Sequence, residues 1–560
     1  MTFRSKLHAN LTALALVSLL GAGVAEAKAP AGTPTPQLVQ KDGKYALMVD
    51  GAPFLILGGQ ANNSSNYAAA LPKVWPAIAD MHANTLVMPV AWEQIEPVEG
   101  HFDFSFVDTL IAQARQHNVR LGILWFGTWK NTGPSYAPSW VKTDNKRFPR
   151  LTDPDGKTSY ALSPLYETTR DADKKAYVEL VKHLKAVDGA RHTVIILQVE
   201  NETGVYGSAR DFSAKGDALM NQPVPDALIK RMGSRALKPS GNWHEVFGDD
   251  ADEYFHAWSI ARYCDDIAAA GKAVYALPTY MNDALKDPLN PQQKAGSYAS
   301  GGPTYNVLDI YKVAAPHIDL LAPDIYSPVS QSYEASLKLY HRPDNALYVA
   351  ESGNKPVYAR YLFSTLGQQG IGFDPFGFDY SGYSNYPLGN TRTDAEMVAP
   401  FARLYKLFGS FDRVWAKLSF ESQVWGVSEP DDHSAQDIDL GARWSAKVTY
   451  RQWQFGMPEW DPEHKNGYPE GSDVPSGGVA VAKLSANEFL VAGYNARISF
   501  GGGKDNADKG FLLDRVEEGH YDAKGQWVFE RVWNGDQTDY GLNFTGEPKL
   551  LKVRLATYEK

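Results

Sequence analysis

Between about residues 46 and 410, short wholly apolar runs alternate with longer stretches whose apolar positions fall three and four apart. A continuous apolar run of four to eight residues suits a strand buried on both faces, and the 3.6-residue period suits a helix laid over it. The runs fall at 54–57, 85–90, 120–125, 193–199, 273–277, 320–323, 347–350 and 370–373, and the helical stretches include 106–117, 171–186, 254–270 and 394–408. Eight strands, each followed by a helix, predict a (β/α)8 TIM barrel. An open doubly wound sheet is the alternative, but Gly58-Gly59-Gln60-Ala61 is not the glycine-rich phosphate loop such a sheet carries after its first strand.

From about residue 411 the pattern shortens. Alternating runs at 442–453, 479–484, 489–500, 510–521, 527–532 and 550–558 are separated by Gly, Asp and Asn turns, which predicts a C-terminal β-sandwich over 411–560. Residues 203–253 are long for one barrel connection and could form a pocket wall or a homodimer contact. Ahead of the barrel, 28–45 reads as an arm leading into the first strand. The first 27 residues read as a secretory signal peptide: Arg4 and Lys6, then an apolar stretch, then Ala25-Glu26-Ala27 as a small-x-small cleavage site. The mature chain then begins at about Lys28 and is periplasmic or secreted, with no membrane anchor. Export removes Arg4, Lys6 and Glu26, so the formal net charge moves from −10 to −11. An acidic chain without a basic block argues against nucleic acid and anionic membranes as partners. Cys264 is the only cysteine, so no intramolecular disulfide forms, and its helical setting suits a buried small side chain. The 13 histidines show no metal-ligand spacing, and the expectation is no metal and no cofactor.

Two of the apolar runs end in chemistry. The run at 193–199 closes on Glu200, Asn201 and Glu202, and the run at 347–350 closes on Glu351. The C-terminal ends of barrel strands form the active-site face. Strands four and seven stand nearly opposite each other there, so Glu202 and Glu351 face across the mouth. A facing pair of carboxyl groups suits glycoside hydrolysis, one as nucleophile and the other as acid and base. Gln198 and Glu200 would share the face of Glu202 on a regular strand and form a polar layer beneath it. Trp92, Trp125 and Trp129 fall at or just past strand ends. They are candidates for stacking on a sugar ring, with barrel-top packing as the alternative. High aromatic content, with 14 Trp and 30 Tyr, suits either.

Gln198, Glu200, Asn201 and Glu202 with Gly204, together with the stretch from Val90 through Trp92, Glu96 and Pro97 to Gly100 and Asp103, resemble glycoside hydrolase family 35, the β-galactosidases of a large clan of retaining (β/α)8 hydrolases. The resemblance covers about 45–410. It implies Glu202 as acid/base, Glu351 as nucleophile, Asn201 on the sugar 2-hydroxyl and Tyr326 orienting the nucleophile. There are departures. Phe126-Gly127-Thr128-Trp129 stands where the family carries Cys-Ala-Glu-Trp, so an acidic sugar contact is missing. Trp92-Glu93 replaces Trp-Asn, so either Glu93 takes over that contact or the sugar differs. The β-rich C-terminus is similar to a bacterial branch associated with galactosylated plant polysaccharides such as xyloglucan. The implied activity is a retaining exo-β-galactosidase acting on oligosaccharides with terminal β-galactose. The alternatives are another retaining β-glycosidase of the clan, or a catalytically silent carbohydrate-binding protein.

Overall fold

The structure, a computed structural model, describes residues 33–451 and 473–560. The signal peptide expected over 1–27 lies outside the described residues. The expected arm is instead built into a sheet. Strands β1 (Gln37–Lys41), β2 (Lys44–Val49) and β3 (Ala52–Phe54) pair antiparallel through two-residue turns, Asp42-Gly43 and Asp50-Gly51, with all four residues at positive φ. Asp-Gly is the dipeptide that such twisted hairpin turns favour. Leu47, Val49 and Phe54 from this sheet join Ile56, Val87, Leu124, Ile196, Leu320 and Tyr348 in one buried cluster. The sheet therefore closes the N-terminal end of the barrel that follows.

That barrel begins with β4 (Ile56–Gln60), β5 (Thr85–Ala91) and β6 (Arg120–Lys130). A small hairpin of β7 (Arg150–Thr152) and β8 (Thr158–Leu162) interrupts it before β9 (Val194–Asn201). It continues with β10 (Thr279–Ala284), β11 (Leu320–Ile325), β12 (Val349–Ser352) and β13 (Gly372–Pro375). The sheet is parallel, and β13 pairs with β4 to close it. Two cores result: one fills the lumen, and the other lies between the strands and the surrounding helices. The fifth strand is not where the apolar pattern placed it. The helix Ala251–Val274 runs through the start of 273–277, and the strand is the more polar Thr279–Ala284. Its Asn282 bonds to the site at the mouth and its Asp283 accepts from Tyr340 of the helix Ser330–Tyr340 at 2.6 Å, so it lacks the apolar run by which a buried strand is recognised. The connection over 203–253 folds into the helices Ala214–Met220, Asp226–Met232 and Trp243–Phe247, the last capped reciprocally by Asn242 and Glu245.

The helix Asp412–Glu421 packs on β2 and β3, so the barrel domain extends past the expected boundary at 410. Beyond it stand two antiparallel sheets. One has six strands: β14 (Val424–Ser428), β17 (Gly478–Lys483), β18 (Glu488–Tyr494), β20 (Gly510–Tyr521), β21 (Trp527–Trp533) and β23 (Lys549–Tyr558). The other has four: β15 (Gln436–Asp439), β16 (Trp444–Thr449), β19 (Ala496–Gly502) and β22 (Leu542–Phe544). The run expected over 489–500 is two strands, parted at Asn495, whose φ of 43° turns the chain. Alternation explains why β17 and β18 are apolar throughout. Val479, Val481, Phe489 and Val491 face the second sheet, while Ala480, Ala482, Leu490 and Ala492 face the barrel. Contact there is tight: a Cβ added to Gly367 would lie 2.1 Å from the backbone N of Gly426. Among the described residues no helix is long and apolar enough to cross a membrane.

Candidate active site

The C-terminal ends of the barrel strands open into a cleft of about 1000 Å³ that contains Glu202, Asp324 and Glu351. Glu351 lies within β12, and Glu202 is the first residue past β9. Asp324 on β11 is the register partner of Glu351. One carboxyl oxygen from each of the three lies within 4.8 Å of the other two.

Glu351 is held by two donors. Gln60 Nε2, at the end of β4, donates to Oε1 at 2.8 Å, and the Tyr326 hydroxyl donates to Oε2 at 2.6 Å. Two hydrogen bonds to the two oxygens suit an anionic carboxylate. Burial, reinforced by the Glu351 charge, pushes the Tyr326 phenol well above its ordinary pKa, so it remains a donor.

Glu202 sits on strained backbone. Its φ is +43°, its N–H donates to Asn282 Oδ1 at 2.9 Å, and its carbonyl accepts from Thr132 N at 2.9 Å. Gly204 lets the following chain pass close to its neighbour, for a Cβ there would lie 2.4 Å from the carbonyl oxygen of Ala299. Burial raises the pKa of Glu202, the Lys130 ammonium 3.7 Å from Oε2 opposes the rise, and the Glu351 charge adds to it. The two glutamates thus stand in different settings, Glu351 between two hydrogen-bond donors and Glu202 beside an ammonium. The Lys130 ammonium beside Glu202 already supplies a cation to the three converging carboxyl groups, so they are not assigned as metal ligands.

The other expected contacts scatter. Asn201 is fully buried beside Glu202, and neither amide atom has a partner within the chain. Glu200 is turned away from the mouth. Its φ of +61° breaks the strand's alternation and swings the carboxyl outward, where Oε2 accepts from Trp129 N at 2.7 Å and the neighbour is Asp173 of the helix Glu167–Asp188. The polar layer expected beneath Glu202 therefore lies between sheet and helices. Gln198 is buried and donates back to the Glu200 carbonyl at 2.8 Å.

The three tryptophans also belong to the outer layer, which corrects their assignment as sugar platforms. Each is buried, and each spends its indole N–H internally. Trp92 donates to Glu96 at 3.0 Å, Trp125 to Asp173 at 2.8 Å and Trp129 to the Leu162 carbonyl at 3.1 Å. On β6 the residues that face outward meet the helices, so Trp125 and Trp129 pack there with Tyr177 and Tyr263, and none of the three lines the cleft. Glu93 lies outside the cleft as well. It pairs with Lys142 at 2.8 Å on a separate surface groove. The aromatic rings that do line the mouth and remain open to solvent are Tyr206 and Tyr383. Both come from loops, where no periodicity marks them. Gln60, Lys130, Asn282 and Asp324 also escape pattern analysis, although each sits at or near a strand end.

Residues 77–217, which include β5, β6, β9 and Glu202, match the family model of glycoside hydrolase family 42, described as beta-galactosidase. Residues 401–545 match a family described as a domain of unknown function, DUF5597. No curated protein matches the chain. Among solved structures it is similar to a beta-galactosidase from the psychrophilic Marinomonas ef1, at 9% identity and a TM-score of 0.45, covering 65% of this chain and 61% of that one. It is also similar to a beta-galactosidase from Bacillus circulans sp. alkalophilus, at 10% identity and a TM-score of 0.48, covering 89% and 99%. A third is the catalytic domain of beta-amylase from Paenibacillus polymyxa, at 13% identity and a TM-score of 0.42, covering 57% and 92%. The chain thus spans about three fifths of the length of the Marinomonas protein. The family whose model matches is 42 where the motifs resembled 35, and the segment it covers, residues 77–217, is similar to a glycoside hydrolase of β-galactosidase type.

Proposed function

We propose that this protein is a secreted, retaining exo-β-galactosidase. The observation that carries the proposal is the pair Glu202 and Glu351, on opposed strands of one barrel, with carboxyl oxygens within 4.8 Å of each other. Retaining glycosidases hold their carboxyl groups about 5–5.5 Å apart, whereas inverting ones need about 6.5–9.5 Å to admit a water. In the first step Glu351 attacks the anomeric carbon. The glycosidic C–O bond breaks, its electron pair passes to the departing oxygen, and Glu202 gives that oxygen a proton. In the second step Glu202 takes a proton from water as the water oxygen bonds to the anomeric carbon, and the ester bond to Glu351 breaks. Gln60 and Tyr326 orient Glu351, and the contact with the sugar 2-hydroxyl is assigned to Asn201, buried beside Glu202 with its amide unpartnered, as the motif resemblance implies. The motif resemblance to family 35 and the match to family 42 favour galactose as the sugar. Galactosylated plant cell-wall oligosaccharides of xyloglucan type are the proposed substrates, the leader over 1–27 is proposed to export the chain, and the helices of 203–253 are a candidate homodimer contact.

The test is Glu351→Gly with an aryl β-galactoside. Turnover should fall on the order of 10⁴-fold or more, and azide should restore a galactosyl azide of inverted configuration. Normal hydrolysis by that variant would overturn the assignment.

A further inference from the structure

Double displacement uses two carboxyl groups, and this mouth holds three. Asp324 is 3% exposed. Its Oδ2 accepts from Asn282 Nδ2 at 2.7 Å, and the same Asn282 accepts the backbone N–H of Glu202 at 2.9 Å. The other oxygen, Oδ1, is buried without a hydrogen-bond partner. Every barrel element around Asp324 presents a charged or titratable group to it. Glu351 comes from β12, Glu202 from the end of β9, Asp283 from β10 and Lys130 from the end of β6. The phenols of Tyr280, Tyr326 and Tyr340 complete the surroundings. Lys130 alone is cationic among these, and it lies against Glu202.

Resting on the roles given above to Glu202 and Glu351, we infer that Asp324 is a neutral carboxylic acid, a positioning residue whose Oδ1–H holds the Glu202 carboxylate in the glycosyl-enzyme intermediate. Oδ2 is then the carbonyl oxygen that accepts from Asn282, and Oδ1 the hydroxyl left free to donate. The charge balance supports the assignment. Before attack, Glu351 is anionic, Lys130 cationic and Glu202 protonated. Burial raises Asp283 to about 8, so it too is uncharged near pH 7, and a neutral Asp324 makes that sum zero. After attack, Glu351 is a neutral ester and Glu202, having given its proton to the departing oxygen, is the anion. The sum is again zero. An ionised Asp324 leaves the buried site with one uncompensated negative charge at both stages, which is the costly state in a low dielectric. Burial, with the Glu351 and Glu202 charges beside it, pushes Asp324 well above the usual carboxylate range.

Asp324→Asn keeps a neutral donor at this place, and Asp324→Ala removes it. With an aryl β-galactoside, kcat of the Asn variant should lie within about tenfold of wild type and that of the Ala variant about 100-fold or more below it. KM should fall along with kcat in the Ala variant as the glycosyl-enzyme accumulates. The alkaline limb of kcat/KM, set by Glu202, should stay within about 0.3 pH unit of wild type in the Asn variant. An ionised Asp324 would instead be holding that limb up, and its removal would drop the limb by about one unit or more. Such a drop, or an equal loss of kcat in both variants, overturns the inference. Asp324→Ser, also a neutral donor, is judged by the same limb if the Asn variant does not fold. A wild type that hydrolyses no aryl glycoside would defeat the double-displacement proposal itself, whereas an active wild type with a dropped limb defeats only the role of Asp324.

Discussion

Replacing Glu200 by glutamine tests whether a single proton is locked behind the catalytic strand. Asp173 accepts three hydrogen bonds, from Trp125 Nε1 at 2.8 Å, Thr128 N at 2.8 Å and Thr128 Oγ1 at 2.6 Å. Three donors favour its ionised form against the burial that raises it. Glu200 is fully buried and accepts from Trp129 N through Oε2. Its other oxygen meets Asp173 over Gly127, where an added Cβ would lie 2.7 Å from Glu200 Oε1 and 2.6 Å from Asp173 Oδ2. Burial first, and then the Asp173 charge, push Glu200 well above its ordinary pKa, so the proton of the pair resides on Glu200. The sign for stability follows. The folded chain keeps a proton that the unfolded chain releases above about pH 4.3, so the contribution is complete below that value. It is lost as pH rises toward the folded pKa, at about 1.4 kcal/mol per pH unit. Glutamine supplies an N–H to Asp173, accepts from Trp129 N through its carbonyl, and does not titrate. Glu200→Gln should match wild type within about 1 kcal/mol near pH 4.5, an isosteric swap of one buried donor for another. It should then gain on wild type by about 1.4 kcal/mol for each unit above that, until Glu200 would have ionised. Urea unfolding of both proteins at several pH values, taken as the difference at each, cancels Glu202, Asp324 and the other acids that titrate in both. Parallel pH profiles for the two proteins would refute a proton held on Glu200.

Lys130→Met removes the cation 3.7 Å from Glu202, leaving burial and Glu351 to raise the acid unopposed. The alkaline limb of kcat/KM should move up by about one pH unit, and a limb that stays or moves down would show that Lys130 does not act on the acid. Tyr383→Ala should raise KM for an oligosaccharide about tenfold, the worth of one stacking contact, with little loss of stability. Trp125→Phe should do the reverse, costing about 1–3 kcal/mol by leaving Asp173 short of a donor while KM stays put. Titrations and melts of the two variants check the pair, and a KM effect confined to Trp125→Phe would return that tryptophan to the sugar site.

Glu202 and Glu351 were legible because each closes an apolar run, and burial on both faces writes itself into a barrel strand as continuous hydrophobicity. The orientation of Glu200 was not, because it depends on one backbone torsion. With regular alternation it would lie under Glu202, and a φ of +61° sends it to Asp173 instead. The same local twist leaves Glu202 itself at +43°, so Glu202 is presented by two breaks in strand geometry, one on each side of Asn201, that composition does not encode. The tryptophans were misplaced for a related reason. A strand end fixes how high a residue stands on the barrel, but not whether it faces the lumen or the helices, and β6 is long enough for Trp125 and Trp129 to face outward up to its end.

The misplaced fifth strand bears most directly on the site. A run of apolar residues marks a strand by its lower, structural half, and a strand whose upper half is given to chemistry has little of that signal left. Thr279–Ala284 carries Asn282 and Asp283 where its neighbour β11 carries Ala322 and Pro323. Asn282 is the residue that ties the backbone of Glu202 to the carboxyl of Asp324. The strand lacks an apolar signature because its upper half is polar. In a barrel whose other seven strands are evident from their apolar runs, the weakest remaining segment is therefore the place to look for the polar groups that position a catalytic acid.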